Sequence, residues 1–464
     1  MSEERNRKFI KDIFIYGLGN ISAKLVTFAI FPLYTFYILP DSLGYFNLVF
    51  ATILLLMPLV NLQLREGIFR FLIDNRDAES RSQVISQSFR MIAIAMLVAA
   101  ALFVPLSILI KIRCSYYIFL LLLTMGLHEV YTQTVRGLGH TGLFVVCGII
   151  TSFMILLFSI LFVTVLRWDI EGVFLTNILA RLAVIGFIEL KLSVIRNHLK
   201  IKTAGKQLAR QLLRYSLPLI VTSTALWMII NSNNYFIKHF LGWEANGLFA
   251  VAFRFAVVID TLSSVIFQAW QETSVLQVDA RDRDKYYSSM INSYLLLLTA
   301  LVITLSLALK ICYPLIVESK YLVSIRYVYP LGLAQIWFAL MYFLTAIFQA
   351  GKNTLKILYI TVPCAAASLV INYFLITGYG LTGVATAYGL SAFILFVSYY
   401  LSIRKTMNIT LDYPRLIMFA VILTLGGTVF YNTDNILYIT AFWLSAMTSL
   451  YLVLPKRMKK FSIH

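Results

Sequence analysis

Charged residues are scarce in this sequence, 13% of it against 60% apolar. Soluble domains run near a quarter charged and about half apolar, so water is excluded as the main solvent of the chain. Long polar stretches are scarce too, and no segment leaves room for a soluble domain of ~100 residues. Cysteine is limited to Cys114, Cys147, Cys312 and Cys364. None forms a CxxC pair and no His/Cys cluster has metal-ligand spacing, so no metal site is expected. The four thiols fall in or beside apolar runs and read as lipid-facing or packed.

Enzyme motifs are missing as well. There is no GxxxxGK[ST] phosphate loop, no HExxH and no GxSxG. No large external loop carries the paired carboxylates that a membrane glycosyltransferase or polysaccharide polymerase needs. The chain is therefore read as a non-enzyme without a cofactor.

What is present is apolar length. A helix needs about 20 apolar residues to cross a bilayer. Such runs recur at roughly 12–38, 43–66, 84–110, 115–136, 143–166, 171–193, 213–238, 246–272, 286–316, 322–349, 355–377, 382–403, 412–431 and 434–455. The fold class is therefore all-α: a polytopic membrane protein of about fourteen transmembrane helices. The first twelve residues are charged and lack the short apolar core of a removed signal peptide. They read as retained and cytoplasmic.

The net charge of +18 suggests nucleic acid in a soluble protein. Here it follows from the excess of Lys and Arg in cytoplasmic loops, and no nucleic-acid partner is expected. With the N-terminus inside, the inner segments collect Arg5–Lys11, Lys191–Arg214 and Lys456–Lys460, among others. The outer segments hold only Lys111, Arg113, Arg167, Lys238, Lys320 and Arg326. That asymmetry places both termini in the cytoplasm. The polar segments 195–212 and 277–287 read as solvated linkers, with amphipathic surface helices on anionic lipid as the alternative.

The chain also resembles itself. Gly139-His140-Thr141-Gly142-Leu143 opens the fifth span and Gly351-Lys352-Asn353-Thr354-Leu355 the eleventh. Each is followed by an apolar run, a short outer turn, and Gly172-Val173 or Gly383-Val384. Leu43-Gly44-Tyr45-Phe46 and Asn246-Gly247-Leu248-Phe249 open the second and eighth spans. Six spans repeated in the same orientation make two pseudo-symmetric lobes about an axis along the membrane normal. The expected organisation is an N-terminal lobe at 1–194, a cytoplasmic linker at 195–212, a second lobe at 213–405, and two further spans with a basic tail at 406–464.

Ionisable groups deep in a span cost about 2.5–3.5 kcal/mol on insertion scales and face a cavity or a partner. The cations within spans are Lys24, Arg181, Arg254 and Lys310, and the acids are Glu129, Glu189 and Asp260. Helix spacing sets Asn20 and Lys24 on one face, Asn177 and Arg181 on another, and Asn231 and Lys238 on a stripe with Trp227 and Asn234. Asp260 shares its face with Ser264, Gln268 and Gln271, while His128 lies between Thr124 and Thr132. Lys24, Arg181, Arg254, Asn20, Asn177, Asn231 and Lys238 are the candidate substrate-binding residues. Asp260 leads the candidate ion-coupling residues, followed by Glu189 and Glu129, with H⁺ or Na⁺ as the ion. The competing role for all of them is hydrogen bonding between helices. It is favoured for His128, and Lys310 is expected to snorkel to the outer interface.

The chain resembles the polysaccharide transporters of the multidrug/oligosaccharidyl-lipid/polysaccharide exporter superfamily, of the O-antigen repeat-unit flippase type. The likeness rests on Tyr16-Gly17-Leu18-Gly19-Asn20 through Phe31-Pro32-Leu33-Tyr34, and on Arg136-Gly137-Leu138-Gly139 and Gln349-Ala350-Gly351-Lys352. It rests further on Asn372-Tyr373-Phe374-Leu375-Ile376 with Tyr379-Gly380-Leu381-Thr382-Gly383-Val384. The resemblance implies flipping of an undecaprenyl-diphosphate-linked repeat unit across a bacterial inner membrane. The lipid-linked oligosaccharide and membrane lipid would be its partners, with the polymerase and chain-length machinery as candidates. An ion-coupled multidrug antiporter and a non-transporting scaffold of polysaccharide assembly are the alternatives.

Overall fold

Hydrocarbon offers no partner to a backbone N–H or C=O, so a chain of this composition must satisfy those groups within helices. The computed structural model describes residues 30, 32–74, 77–198, 205–277, 280–351 and 354–453. Among these the chain is helix and turn, without a strand. Eleven helical stretches are long and apolar enough to cross a membrane. Two of them, Gly205–Ser264 and Leu355–Arg404, have 60 and 50 residues. At 1.5 Å per residue these would run to roughly 90 and 75 Å, against a hydrocarbon core of about 30 Å. Each is broken by a glycine with left-handed φ, Gly242 at 92° and Gly380 at 57°. Counting these two stretches twice gives thirteen crossings among the described residues. The expected first span lies outside them except at residues 30 and 32–38.

The chain divides into two compact units, Met1–Trp227 and Met228–His464. The division falls inside the helix Gly205–Asn231, whose first turns already occupy the end of the expected linker at 195–212.

The first unit holds α1 (Pro40–Val60), α2 (Leu64–Asp74), α3 (Ala78–Leu109), α4 (Ser115–Gly137), α5 (Thr141–Ser159), α6 (Ile170–Leu192), the short α7 (Val194–His198) and most of α8 (Gly205–Asn231). Helix α4 packs against α2, α5 and α6. The second span was expected to continue to residue 66. Instead α1 ends at Asn61, and Leu62 and Gln63 take left-handed φ of 52° and 49°. The chain then turns into α2, which buries Leu64, Ile68 and Leu72 at i, i+4 and i+8 and turns Arg70 and Asp74 outward. Gly137 of α4 meets this face, where a Cβ would lie 2.7 Å from Leu72 Cδ1. Asp77 caps α3 by accepting the Ser80 N–H at 2.8 Å. These hydrogen bonds hold its carboxyl below the usual range.

The second unit holds α9 (Asn233–Leu276), α10 (Arg283–Ile316), α11 (Ile325–Ala350), α12 (Thr354–Arg404), α13 (Tyr413–Asn432) and α14 (Ile436–Val453). Helix α11 is its centre, packed against α9, α10 and α12 and buried along most of its length. Trp270 of α9 lies flat on Phe343 of α11, centroids 3.9 Å apart, and donates its indole N–H to the Phe343 carbonyl at 2.9 Å. In the α12 hairpin, a Cβ on Gly383 would fall 2.5 Å from the Leu375 carbonyl carbon. Eight residues along a continuous helix would separate these positions by about 12 Å, so the chain doubles back at Gly380. Gly172 has the same place in the hairpin of the first unit, its Cβ position 3.3 Å from Phe162 Cβ. The glycines of the sequence repeat are therefore the points where each hairpin turn lets two helices come close together.

An extended strap joins α12 to α13. Asp284, Ser288 and Asn292, at i, i+4 and i+8 on α10, accept the backbone N–H groups of Asn408, Thr410 and Asp412 at 2.7, 2.9 and 3.0 Å. Asn292 also donates to the Thr410 carbonyl at 3.1 Å. Four helical residues advance about 6 Å and two extended residues about 6.6 Å, so the two periods stay in step. Trp443 of α14 then donates to Thr304 of α10 at 3.0 Å.

Candidate functional site

The polar residues inside the spans gather into one cluster in each unit. In the first unit the break after α1 sets Asn61 beside α4. Asn61 Nδ2 donates to Glu129 Oε2 at 2.6 Å, and its own Oδ1 accepts the Gln63 N–H at 3.0 Å. Arg65 at the head of α2 approaches Glu129 Oε1 at 3.7 Å and pairs with Glu66 at 3.0 Å. Gln63 reaches on to Ser223 of α8 at 3.3 Å. Glu129 is thus held by one amide and one guanidinium, with most of its side chain withdrawn from solvent.

Arg181 lies midway along α6. Its Nη1 donates to Asn177 O at 2.7 Å and Asn177 Oδ1 at 3.0 Å, while Asn177 Nδ2 donates to Val173 O at 2.9 Å. Arg181 lies close enough to Glu129 and His128 for their charges to interact. Among the described residues no carboxylate lies within 4 Å of its guanidinium. The fork therefore keeps donors that its own helix does not use. Next to it, His128 Nε2 meets Thr151 Oγ1 at 3.2 Å, tying α4 to α5.

In the second unit Asp260 of α9 sits within electrostatic range of Tyr294 of α10, Tyr342 of α11 and Tyr388 of α12. Tyr388 faces the Gln335 side chain, whose Nε2 is buried without a hydrogen-bond partner among the described residues. Phenols from three helices thus come within electrostatic range of one carboxylate, a group that can take up a proton or a cation. Arg254 is part-buried on the same helix. Six residues before Asp260, it stands about 120° away in projection and on a different face.

The other candidates do not join these clusters. Glu189 accepts the Tyr131 hydroxyl at 3.2 Å and the Ile195 N–H on both oxygens at 3.1 Å. It staples the chain reversal at Ser193, whose φ is 46°. Asn231 ends α8, so the stripe expected from Trp227 to Lys238 is interrupted at Ser232. Lys238 lies over the Trp243 ring at 5.4 Å, and Lys310 pairs with Asp434 at 2.7 Å. Lys24 and Asn20 fall outside the described residues, as do the side chain of Gln268 and the basic tail from 454 on. Sequence reasoning missed Asn61, Arg65, Tyr294 and Tyr388. The signal for the first two was the charge spacing of Arg65, Glu66 and Arg70 at the end of an apolar run.

The sequence matches a known family, described as polysaccharide biosynthesis protein, over residues 9–271. The chain belongs to the polysaccharide biosynthesis protein family. No curated protein matches it by sequence. Solved structures share the fold of this polysaccharide biosynthesis protein. The lipid II flippase MurJ in an inward closed conformation aligns with a TM-score of 0.74 at 13% identity, over 98% of this chain and 100% of that one. An inward-facing multidrug resistance MATE transporter of the MOP superfamily aligns at 0.71 and 15% identity, over 84% and 97%. A MOP superfamily transporter from Pyrococcus furiosus, described by the reverse polarity of its binding pocket, aligns at 0.62 and 16% identity, over 85% and 95%. The chain thus shares its fold with these three solved structures.

Proposed function

We propose that this polysaccharide biosynthesis protein flips an undecaprenyl-diphosphate-linked oligosaccharide, an O-antigen or other surface-polysaccharide repeat unit, across a bacterial inner membrane by alternating access along a cationic path. Both termini face the cytoplasm. The observation that carries this reading is Arg181. A guanidinium at mid-span with no carboxylate within 4 Å among the described residues suits an anionic headgroup, because arginine forks onto phosphate oxygens. Lys24, from the expected first span, supplies a second point charge. Asn177 orients Arg181, and Arg254 serves the path from the second unit. Asp260, ringed by phenols, carries the coupling proton or sodium ion. Glu129 answers to the same ion within the first unit.

Complementation of a strain lacking its repeat-unit flippase tests the proposal. Restored surface polysaccharide is the expected result, abolished by Arg181→Ala at unchanged protein level. Resistance to cationic drugs without restored polysaccharide would assign the chain to drug export instead.

A further inference from the structure

A cleft of about 370 Å³ opens on the first unit, lined by Phe71 and Asp74 of α2, Ser80, Gln83 and Val84 of α3, and Gln207, Leu208 and Gln211 of α8. Its volume falls in the range of small-molecule sites, about 300–1,000 Å³. All three elements belong to segments that the distribution of Lys and Arg assigns to the cytoplasm.

The chemistry of the lining is specific. Among the described residues Gln83, Gln207 and Gln211 have no hydrogen-bond partner, so three amides, each with two donors and an acceptor oxygen, line the cleft open to a ligand. Gln207 and Gln211 are one helical turn apart and present their amides side by side. Asp74 pairs with Arg70 at 3.1 Å on one side, which leaves lone pairs for a hydroxyl. Phe71 supplies an apolar ring, braced edge-on by Tyr215 at 6.2 Å. Among the described residues no lysine or arginine lines the space. The N-terminus of α3, which would attract an anion, is already taken by Asp77. This lining of amides, a carboxylate and a ring suits a neutral polyol. Sugar hydroxyls both donate and accept, as the amides do, and the C–H face of a pyranose packs on an aromatic ring.

We propose that this cleft is a carbohydrate subsite, which holds a sugar of the lipid-linked substrate at the cytoplasmic face before translocation; the sugar's being on a lipid carrier rests on the flippase reading above. The full-length protein in detergent is titrated with free hexoses, deoxyhexoses, N-acetylhexosamines and uronic acids, with binding read by saturation-transfer NMR. At least one saccharide is expected to bind, and Gln207→Ala/Gln211→Ala is expected to weaken it at least tenfold with an unchanged melting temperature. Gln83→Ala alone is expected to weaken it several-fold and guards against a misfolded double variant. No binding by the wild type, or equal binding by all three proteins, overturns the subsite. Complementation is scored separately. Failure of the wild type to complement while the glutamine-dependent binding persists would leave the subsite standing and remove the flippase reading. Normal complementation without saccharide binding would do the reverse.

Discussion

Asn61 donates its side-chain amide to Glu129 at 2.6 Å while its carbonyl oxygen receives the Gln63 N–H at 3.0 Å. One side chain therefore holds both a carboxylate within α4 and a backbone turn with two left-handed residues, Leu62 and Gln63. Left-handed φ costs a non-glycine residue roughly 1–2 kcal/mol, so the turn persists because Asn61 closes it. Asn61→Ala is expected to destabilise the protein by about 1–3 kcal/mol, the cost of a lost partner for a part-buried charge. Asn61→Asp is expected to be worse, since it sets a second carboxylate against Glu129. Thermal unfolding in detergent ranks wild type above Ala and Ala above Asp; an Asp variant as stable as wild type would contradict the contact.

Arg181 offers a graded test of the anion path. Arg181→Lys keeps charge but loses the planar fork, and partial transport is expected. Arg181→Ala is expected to abolish transport, and Arg181→Glu to do no better because it repels a diphosphate. A lipid-linked sugar assay in proteoliposomes reads all three, and normal rates for Arg181→Ala would end the cationic mechanism.

Gly383 and Gly378 lie in one hairpin with opposite surroundings. A Cβ on Gly383 would fall within 2.5 Å of Leu375 backbone, whereas one on Gly378 meets nothing within 4 Å. Gly383→Ala is expected to cost roughly 3 kcal/mol, the upper range for overpacking, and to reduce the yield of inserted protein sharply. Gly378→Ala is expected to leave yield and melting temperature unchanged. Fluorescence-detected size exclusion compares the two directly.

The strap is expected to open when its ladder is cut. Asn292→Ala removes the acceptor for the Asp412 N–H and the donor to the Thr410 carbonyl, a loss of about 1–2 kcal/mol for two hydrogen bonds. Ser288→Ala removes a single bond to the strap, from the Thr410 N–H. Hydrogen exchange at residues 408–412 should rise in both variants, and more in Asn292→Ala.

Orientation is open to a direct check. Reporter fusions after Trp168 and Asn432 are expected to report the outer side, and one after Lys206 the cytoplasm. A cytoplasmic signal after Trp168 would reverse the arrangement.

Apolar length made most crossings legible in the sequence, since bilayer thickness sets a minimum run that soluble helices seldom reach. The glycine repeats were legible for a related reason: Gly172 and Gly383 mark close helix approaches, tight for a Cβ at Gly172 and closed to one at Gly383. The end of α1 was not. Leu64, Phe69, Phe71 and Leu72 extend the apolar run beyond Asn61, and only the pairing of Asn61 with Glu129, sixty-eight positions away, says where the helix must stop. The site was half legible. Arg181 and Asn177 share a face at i and i+4 and do meet. Glu189 read as an intramembrane acid, but the turn at Ser193 brings the Ile195 N–H onto its carboxylate. The phenols around Asp260 come from three different helices, a convergence that spacing along one helix does not encode.

The ladder from α10 to the strap is built from side chains on one partner and backbone alone on the other. Nothing in it reads the identity of Asn408 or Thr410, only the rhythm of an extended chain. Substitutions at the exposed Asn408 and Thr410 are therefore tolerated wherever an N–H survives, whereas the buried Ile409 between them is not free to change, and one residue inserted there would throw the later rungs out of register. The strap is thus a rail that sets where the last two helices begin and is indifferent to label, while their seating is read by side chains such as Trp443 on Thr304.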